Sequence, residues 1–171
     1  MSPANLKSVV LITGASSGIG EALAYEAAKR GNNLCLMARN LERLALVAQN
    51  CREIGAVVAE VVGDVSKKED CYRFVDEAQK VPGTVKVLIN NAGISMRAVF
   101  EHTETEVLEQ LMNTNFWGTV YCTKAALPEL LKNKGSVVGI SSIAGFKGLP
   151  ARTGYSASKF AMHGFLESLR C

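Results

Sequence analysis

Tyr155 and Lys159, in the stretch "GYSASKF", stand four residues apart on what reads as one face of a helix. Such a pair suits proton transfer to or from an oxygen. A free phenol ionises near pH 10, and bringing it near 7 takes about three pK units, roughly 4 kcal/mol of preferential support for the phenolate. A nearby ammonium supplies much of that support. Tyr155 is therefore the candidate general acid, or in reverse the general base, with Lys159 as the group that tunes it.

A second stretch suits phosphate. "TGASSGIG" runs from Thr13 to Gly20, directly after an apolar β-branched run and into a helical pattern. Gly14 lets the chain leave a strand in a tight turn, Gly18 lets backbone approach a pyrophosphate, and Gly20 lets helix and strand pack closely. Free N–H groups at the helix start favour anions, and the hydroxyls of Ser16 and Ser17 add donors. The spacing is not that of a P-loop, because no GK[ST] follows.

These residues need a scaffold, and the apolar pattern supplies one. "SVVLIT", "NLCLMA", "AVVAEVVG", "VKVLIN" and "SVVGIS" read as five strands. Helices are expected over Glu21 to Arg30, ended by Gly31, and through Leu41, Leu44, Ala45, Ala48, Cys51 and Ile54. Others are expected from Lys67 to Lys80, from Glu104 to Lys132, and from about Gly154 to the end. Strands alternating with helices predict an α/β fold of Rossmann type. It is a doubly wound parallel sheet with helices on both faces, in one domain spanning residues 1–171.

Composition narrows the class. The 171 residues are 48% hydrophobic, enough for one sizeable core. A net charge of +3 with both signs interspersed argues against nucleic acid. The five cysteines, Cys35, Cys51, Cys71, Cys122 and Cys171, form no CxxC pair and fit a reduced compartment. No apolar run at the N-terminus is long enough for a signal-peptide core or a membrane span, so a cytoplasmic protein is expected. His102 and His163 show no partner pattern and read as surface or structural.

The turn TGxxxGxG and YxxxK together resemble the short-chain dehydrogenase/reductase family, and the resemblance runs along essentially the whole chain. It implies that Gly14, Ser16, Ser17, Gly18, Ile19 and Gly20 hold a dinucleotide's phosphates. Asp64, in "GDV", would accept from the adenine amino group, with Val65 lining the adenine site. Ser66 is the better helix cap there, which leaves Asp64 free. "NNAG" at Asn90 to Gly93 would line the site through Asn91, Ala92 and Gly93. Ser142, thirteen residues before Tyr155, matches the family's catalytic serine. Its hydroxyl would bond the substrate carbonyl, while strand alternation points Ser141 elsewhere. Asn115, inside the long helix where asparagine has poor propensity, matches the remaining catalytic residue, with the expected task of bending the helix and ordering a water beside Lys159. Tyr155 and Lys159 would also meet the nicotinamide ribose.

The cofactor follows from the end of the second strand, "LMARN". An acid there would bind the ribose hydroxyls and repel a 2′-phosphate. Ala38 holds that place and Arg39 follows, so NADP(H) is expected over NAD(H). The implied reaction interconverts a ketone or aldehyde and an alcohol. The alternative is a dinucleotide-binding module without turnover, or an inactive fragment of such an enzyme. In a complete member, another strand, a Pro-Gly turn at the nicotinamide, a substrate loop and a final strand follow the last helix. The resemblance thus implies a chain missing its C-terminal strands, with the fifth strand left as an edge. It also implies a homodimer or homotetramer through the helices of Asn115 and Tyr155, where Phe116, Trp117, Phe160 and Phe165 suit an interface or the core.

Overall fold

The computed structural model describes residues 7–170; Cys171 lies outside them. The chain runs β1 (Ser8–Thr13), α1 (Gly18–Lys29), β2 (Asn33–Ala38), α2 (Leu41–Glu53), β3 (Val58–Val62), α3 (Lys68–Lys80) and β4 (Thr84–Asn90). A 3-10 turn (Phe100–His102) leads to α4 (Thr105–Leu111), a π-wound segment (Met112–Trp117) and α5 (Gly118–Lys132). Then come β5 (Ser136–Gly139), a second 3-10 turn (Ile143–Gly145) and α6 (Thr153–Leu169). Among the described residues no helix is long and apolar enough to cross a membrane.

The five strands are parallel in the order β3-β2-β1-β4-β5. Period-two alternation sends side chains to both faces. Val9 and Leu11 join Phe74, Leu88, Cys122 and Ala126 in a core beneath α3 and α5. Val10 and Ile12 join Ala24, Leu34, Leu36 and Leu44 in a second core beneath α1 and α2. Both faces are thus covered, as uniformly apolar strands require. The connections run outward from β1 in one direction and from β4 in the other, so a crevice opens past the carboxyl ends of β1 and β4.

Two expectations need correction. The helix expected from Glu104 to Lys132 is helical throughout, but Met112–Trp117 is wound as π. Asn115 lies there, and its side chain bonds another segment. Gly118 follows, and a Cβ on it would come within 2.8 Å of Val65, so α5 crosses close over the loop after β3. Ser66 is not the cap of α3. That place falls to Lys67, without a side-chain bond. Asp64 Oδ1 instead accepts from the Ser66 amide and hydroxyl, both at 2.9 Å, in a local turn.

Candidate active site

The crevice is a cleft of about 430 Å³. Its floor is the turn between β1 and α1. Gly14 has φ +66°, and a Cβ on it would lie 2.8 Å from Ala92 Cα, so this left-handed turn has no room for a side chain. Gly20 is buried beneath the turn, and a Cβ there would collide with Gly14 O and Asn91 Nδ2. Asn91 is held there by its own side chain. Its Nδ2 donates to Thr13 O at 3.0 Å and Gly14 O at 3.1 Å, while Thr13 Oγ1 accepts from the amides of Asn91 and Ala92 at 3.1 Å. Ser17 precedes α1 without a capping side-chain bond, so the amides of the first turn stay available to a ligand.

Ser16, Ser17 and Ile19 line one side of the cleft; Ala92 and Gly93 line another. Arg39 stands exposed on the rim after Ala38, and no carboxylate ion-pairs with it among the described residues. Asp64 and Val65 close the far end. The Asp64 amide donates to Asp70 Oδ2 at 2.9 Å, and this bond, then Arg73, holds the Asp70 carboxyl below its usual range. Gly18 sits at the exposed start of α1 with φ +59°, just outside the lining. The glycine cradle and the open amides fit the phosphates of a dinucleotide.

The second group lies on α6. Lys159 is buried, and its Nζ donates to Ile140 O at 2.8 Å. Burial lowers its pKa from the ordinary lysine value. The same Nζ lies 5.9 Å from the ring centre of Tyr155, which is half-buried. The guanidinium of Arg152 approaches that ring to 5.8 Å, and its Nη1 donates to Ser95 Oγ at 2.6 Å. Ser142 begins the 3-10 turn after β5, where its Oγ accepts from the Ala144 amide at 3.2 Å; no hydrogen bond joins it to Tyr155.

Asn115 is 1% exposed. Its Oδ1 accepts from Ile94 N at 2.8 Å, and its Nδ2 donates to Ile94 O and Ser158 Oγ, both at 2.9 Å. Ser158 in turn donates to Tyr155 O at 2.8 Å. Both amide hydrogens of Asn115 are thus taken by protein groups. Gly93 bridges the two groups. It lines the cleft, and a Cβ on it would lie 3.2 Å from Asn115 Oδ1 and 3.7 Å from Lys159 Nζ.

Sequence reasoning missed Thr13, Arg152 and Ser158, and the lining residues Met37, Asn40, Gly63, Ile94 and Thr114. Thr13 opens the glycine turn, so its position was visible. Asn40 and Gly63 adjoin Arg39 and Asp64, while the contact of Arg152 with Ser95 and that of Ile94 with Asn115 join distant segments. Trp117 and Phe160 are exposed, and Phe116 and Phe165 meet edge-on at 6.3 Å, half-buried.

The sequence model of the short chain dehydrogenase family matches residues 8–171. The chain is 50% identical over 164 residues to the "11-beta-hydroxysteroid dehydrogenase-like 4A" of Arabidopsis thaliana, covering 95% of this chain and 55% of that protein. It is 48% identical over 164 residues to the "11-beta-hydroxysteroid dehydrogenase A" of Arachis hypogaea, covering 95% and 47%. The chain thus spans about half the length of the curated relatives it matches. Among solved structures, a short chain dehydrogenase/reductase from Burkholderia phymatum in complex with NAD superposes with TM-score 0.91 at 30% identity, over 95% of this chain and 59% of that one. An alcohol dehydrogenase from Thermococcus sibiricus complexed with 5-hydroxy-NADP gives TM-score 0.92 at 31% identity, over 96% and 70%.

Proposed function

The chain belongs to the short-chain dehydrogenase/reductase family, and we propose that it interconverts a ketone or aldehyde and an alcohol with NADP(H), Tyr155 serving as general acid and base. The observation that carries this reading is the buried Lys159 ammonium on the helix face of a half-exposed tyrosine, beside a glycine-built cleft.

The bound dinucleotide supplies a hydride donor or acceptor at its nicotinamide. In reduction, Tyr155 Oη gives a proton to the carbonyl oxygen; in oxidation it takes one from the alcohol. Lys159 Nζ uses one N–H on Ile140 O, and its charge stabilises the negative charge left on Oη. Ser142 Oγ accepts from Ala144 N, which leaves the serine hydrogen free to donate to the substrate oxygen. Asn115 acts through others: it ties Ile94 and Ser158, and so the cleft wall, to the helix of Tyr155. Arg39 pairs with the 2′-phosphate, which favours NADP(H) over NAD(H).

Residues 1–171 serve as one dinucleotide-binding domain, cytoplasmic, in a protein that self-associates through the helices of Asn115 and Tyr155, where Trp117 and Phe160 are exposed. The names of the Arabidopsis and Arachis relatives direct the first screen to ketones and secondary alcohols on lipophilic fused rings.

Two measurements test the reading. Thermal unfolding with NADPH at a hundred times its Kd should show about 2.7 kcal/mol of added stability. NADPH oxidation driven by aldehydes, diketones, quinones and steroids should then reveal turnover in the full-length protein. Cofactor binding without turnover on any carbonyl would favour a non-catalytic module.

A further inference from the structure

The face of α6 that carries Tyr155 and Lys159 continues one turn further, to His163. Residues at i, i+4 and i+8 stack along one side of a helix. Opposite them run Ile140, Ser141 and Ser142, in the loop that leaves β5. Lys159 Nζ donates to Ile140 O at 2.8 Å, and one turn on, His163 Nε2 shares a 2.5 Å hydrogen bond with Ser141 Oγ. The imidazole also meets the ring of Phe146 edge-on, with centroids 4.3 Å apart. Gly145 leaves space for both: a Cβ there would sit 2.9 Å from Ser141 Oγ and 3.0 Å from His163 Nε2.

We infer that His163 is a positioning residue for proton transfer, which clasps the Ser142-bearing turn to the helix of Tyr155 through Ser141 and Phe146. This rests on reading Ser142 and Tyr155 as the pair that meets the substrate oxygen. The turn's own bonds are local. Ser142 Oγ accepts from Ala144 N, Ser142 O from Gly145 N, and Ile143 O from Phe146 N and Lys147 N. Those bonds shape the turn without fixing it relative to α6. His163 grips it on both sides of Ser142, at Ser141 before and Phe146 after. Ser141 therefore does its work by pointing away from the substrate side, toward the helix, so that its neighbour is held still. Misplacing a catalytic donor by a fraction of an ångström lowers kcat more than it lowers affinity, because the donor matters most in the transition state.

The test compares His163→Phe, which keeps a ring against Phe146 and loses the nitrogen bond, with Ser141→Ala and the double variant, all in the full-length protein. Each single change should lower kcat about tenfold, with KM and the Kd for NADPH within about twofold. The double variant should be no worse than the poorer single, because both remove one interaction. His163→Gln, which retains a hydrogen-bonding end, should recover most of kcat. Unchanged kcat in His163→Phe, losses that multiply in the double variant, or a Kd that rises in step with the kcat loss would each overturn the inference. A second readout needs no substrate. Amide exchange at Ala144 and Gly145 should quicken about tenfold in His163→Phe while Ala24 in α1 stays the same. Unchanged exchange at the turn would refute the clasp whether or not any carbonyl is turned over, so its failure is separable from failure of the proposed reaction.

Discussion

The cleft and the group around Tyr155 are built from opposite materials. The cleft is made of backbone: glycines at Gly14 and Gly20 that a Cβ would block, open amides at the start of α1, and exposed side chains such as Ile19 at 60%. The group around Tyr155 is made of buried polar side chains: Asn115 on the π-wound segment at 1%, and Ser158 and Lys159 on α6 at 0% and 5% exposure. A phosphate is recognised by shape and fixed dipoles, which main chain supplies without placing side chains. A proton must be moved by one particular atom, and that atom is held in place by side-chain bonds reaching from other segments. The two regions should therefore fail differently. Damage to the cleft should show as lost affinity, and damage to the group around Tyr155 as lost turnover.

Tyr155→Phe is the sharpest break of that contrast. It removes one oxygen, and that hydroxyl has no protein hydrogen bond among the described residues, so folding has little to lose. Turnover should fall by about 10² to 10⁴, the range for one general acid, while the Kd for NADPH stays within about twofold. Steady-state kinetics beside cofactor titration decides it. A kcat within tenfold of wild type would remove Tyr155 from the proton-transfer step.

Asn115→Leu should come next, and it crosses the boundary. Removing the amide takes the partners from the half-buried Ile94 N–H and C=O and one of two bonds from the buried Ser158 Oγ. A fully buried unpaired group costs about 1–3 kcal/mol and one that water can reach costs less, so the loss of stability should be about 1–3 kcal/mol in a denaturant titration. Arg39→Asp tests the cleft alone. Trading a guanidinium for a carboxylate exchanges attraction to a 2′-phosphate for repulsion, an effect of about 1–3 kcal/mol. The ratio of NADPH to NADH affinity should drop by about 10- to 100-fold with the unfolding midpoint unchanged. A ratio that does not move in either Arg39→Asp or Arg39→Ala would return Arg39 to a solvated rim charge.

The same contrast explains what the sequence revealed. The α/β alternation was visible because strands covered on both faces read as unbroken apolar runs, and the cleft loops were visible because each follows such a run. Gly14 and Gly20 announce a backbone constraint in their own identity. The side-chain network was hidden. Asn115 stood out by its poor helix propensity, but its partners Ile94 and Ser158 lie 21 and 43 residues away. The π winding around it leaves no mark in the apolar pattern over six residues. Asp64 was read as free because Ser66 looked like the better cap, when the two bond each other. His163 was set aside for want of a partner pattern, although it stands one turn beyond Lys159, because its partner Ser141 reaches it only once β5 and α6 are packed. Main-chain sites are local in sequence and legible there; side-chain sites are assembled from afar.

Lys159→Met should have a small effect on stability, and it tests the contrast from within the helix of Tyr155. Burial lowers the pKa of Lys159 from its ordinary value of 10.5 in the folded chain, while the unfolded chain leaves it near that value. Between the two values the unfolded chain binds more protons, so stability should rise with pH across that window and be lower below it. Met removes the titrating group, so the difference between wild type and variant should carry this slope, free of the other lysines and tyrosines that titrate alike in both. At neutral pH two effects oppose each other. The variant escapes the cost of burying an ammonium that has no carboxylate partner among the described residues, and it leaves Ile140 O without the donor at 2.8 Å. The net change in stability should stay within about 1 kcal/mol, while carbonyl reduction collapses. A variant that unfolds far more easily than wild type at neutral pH would make Lys159 a structural strut. One that is equally stable and inactive would make the buried charge a cost the fold bears for chemistry.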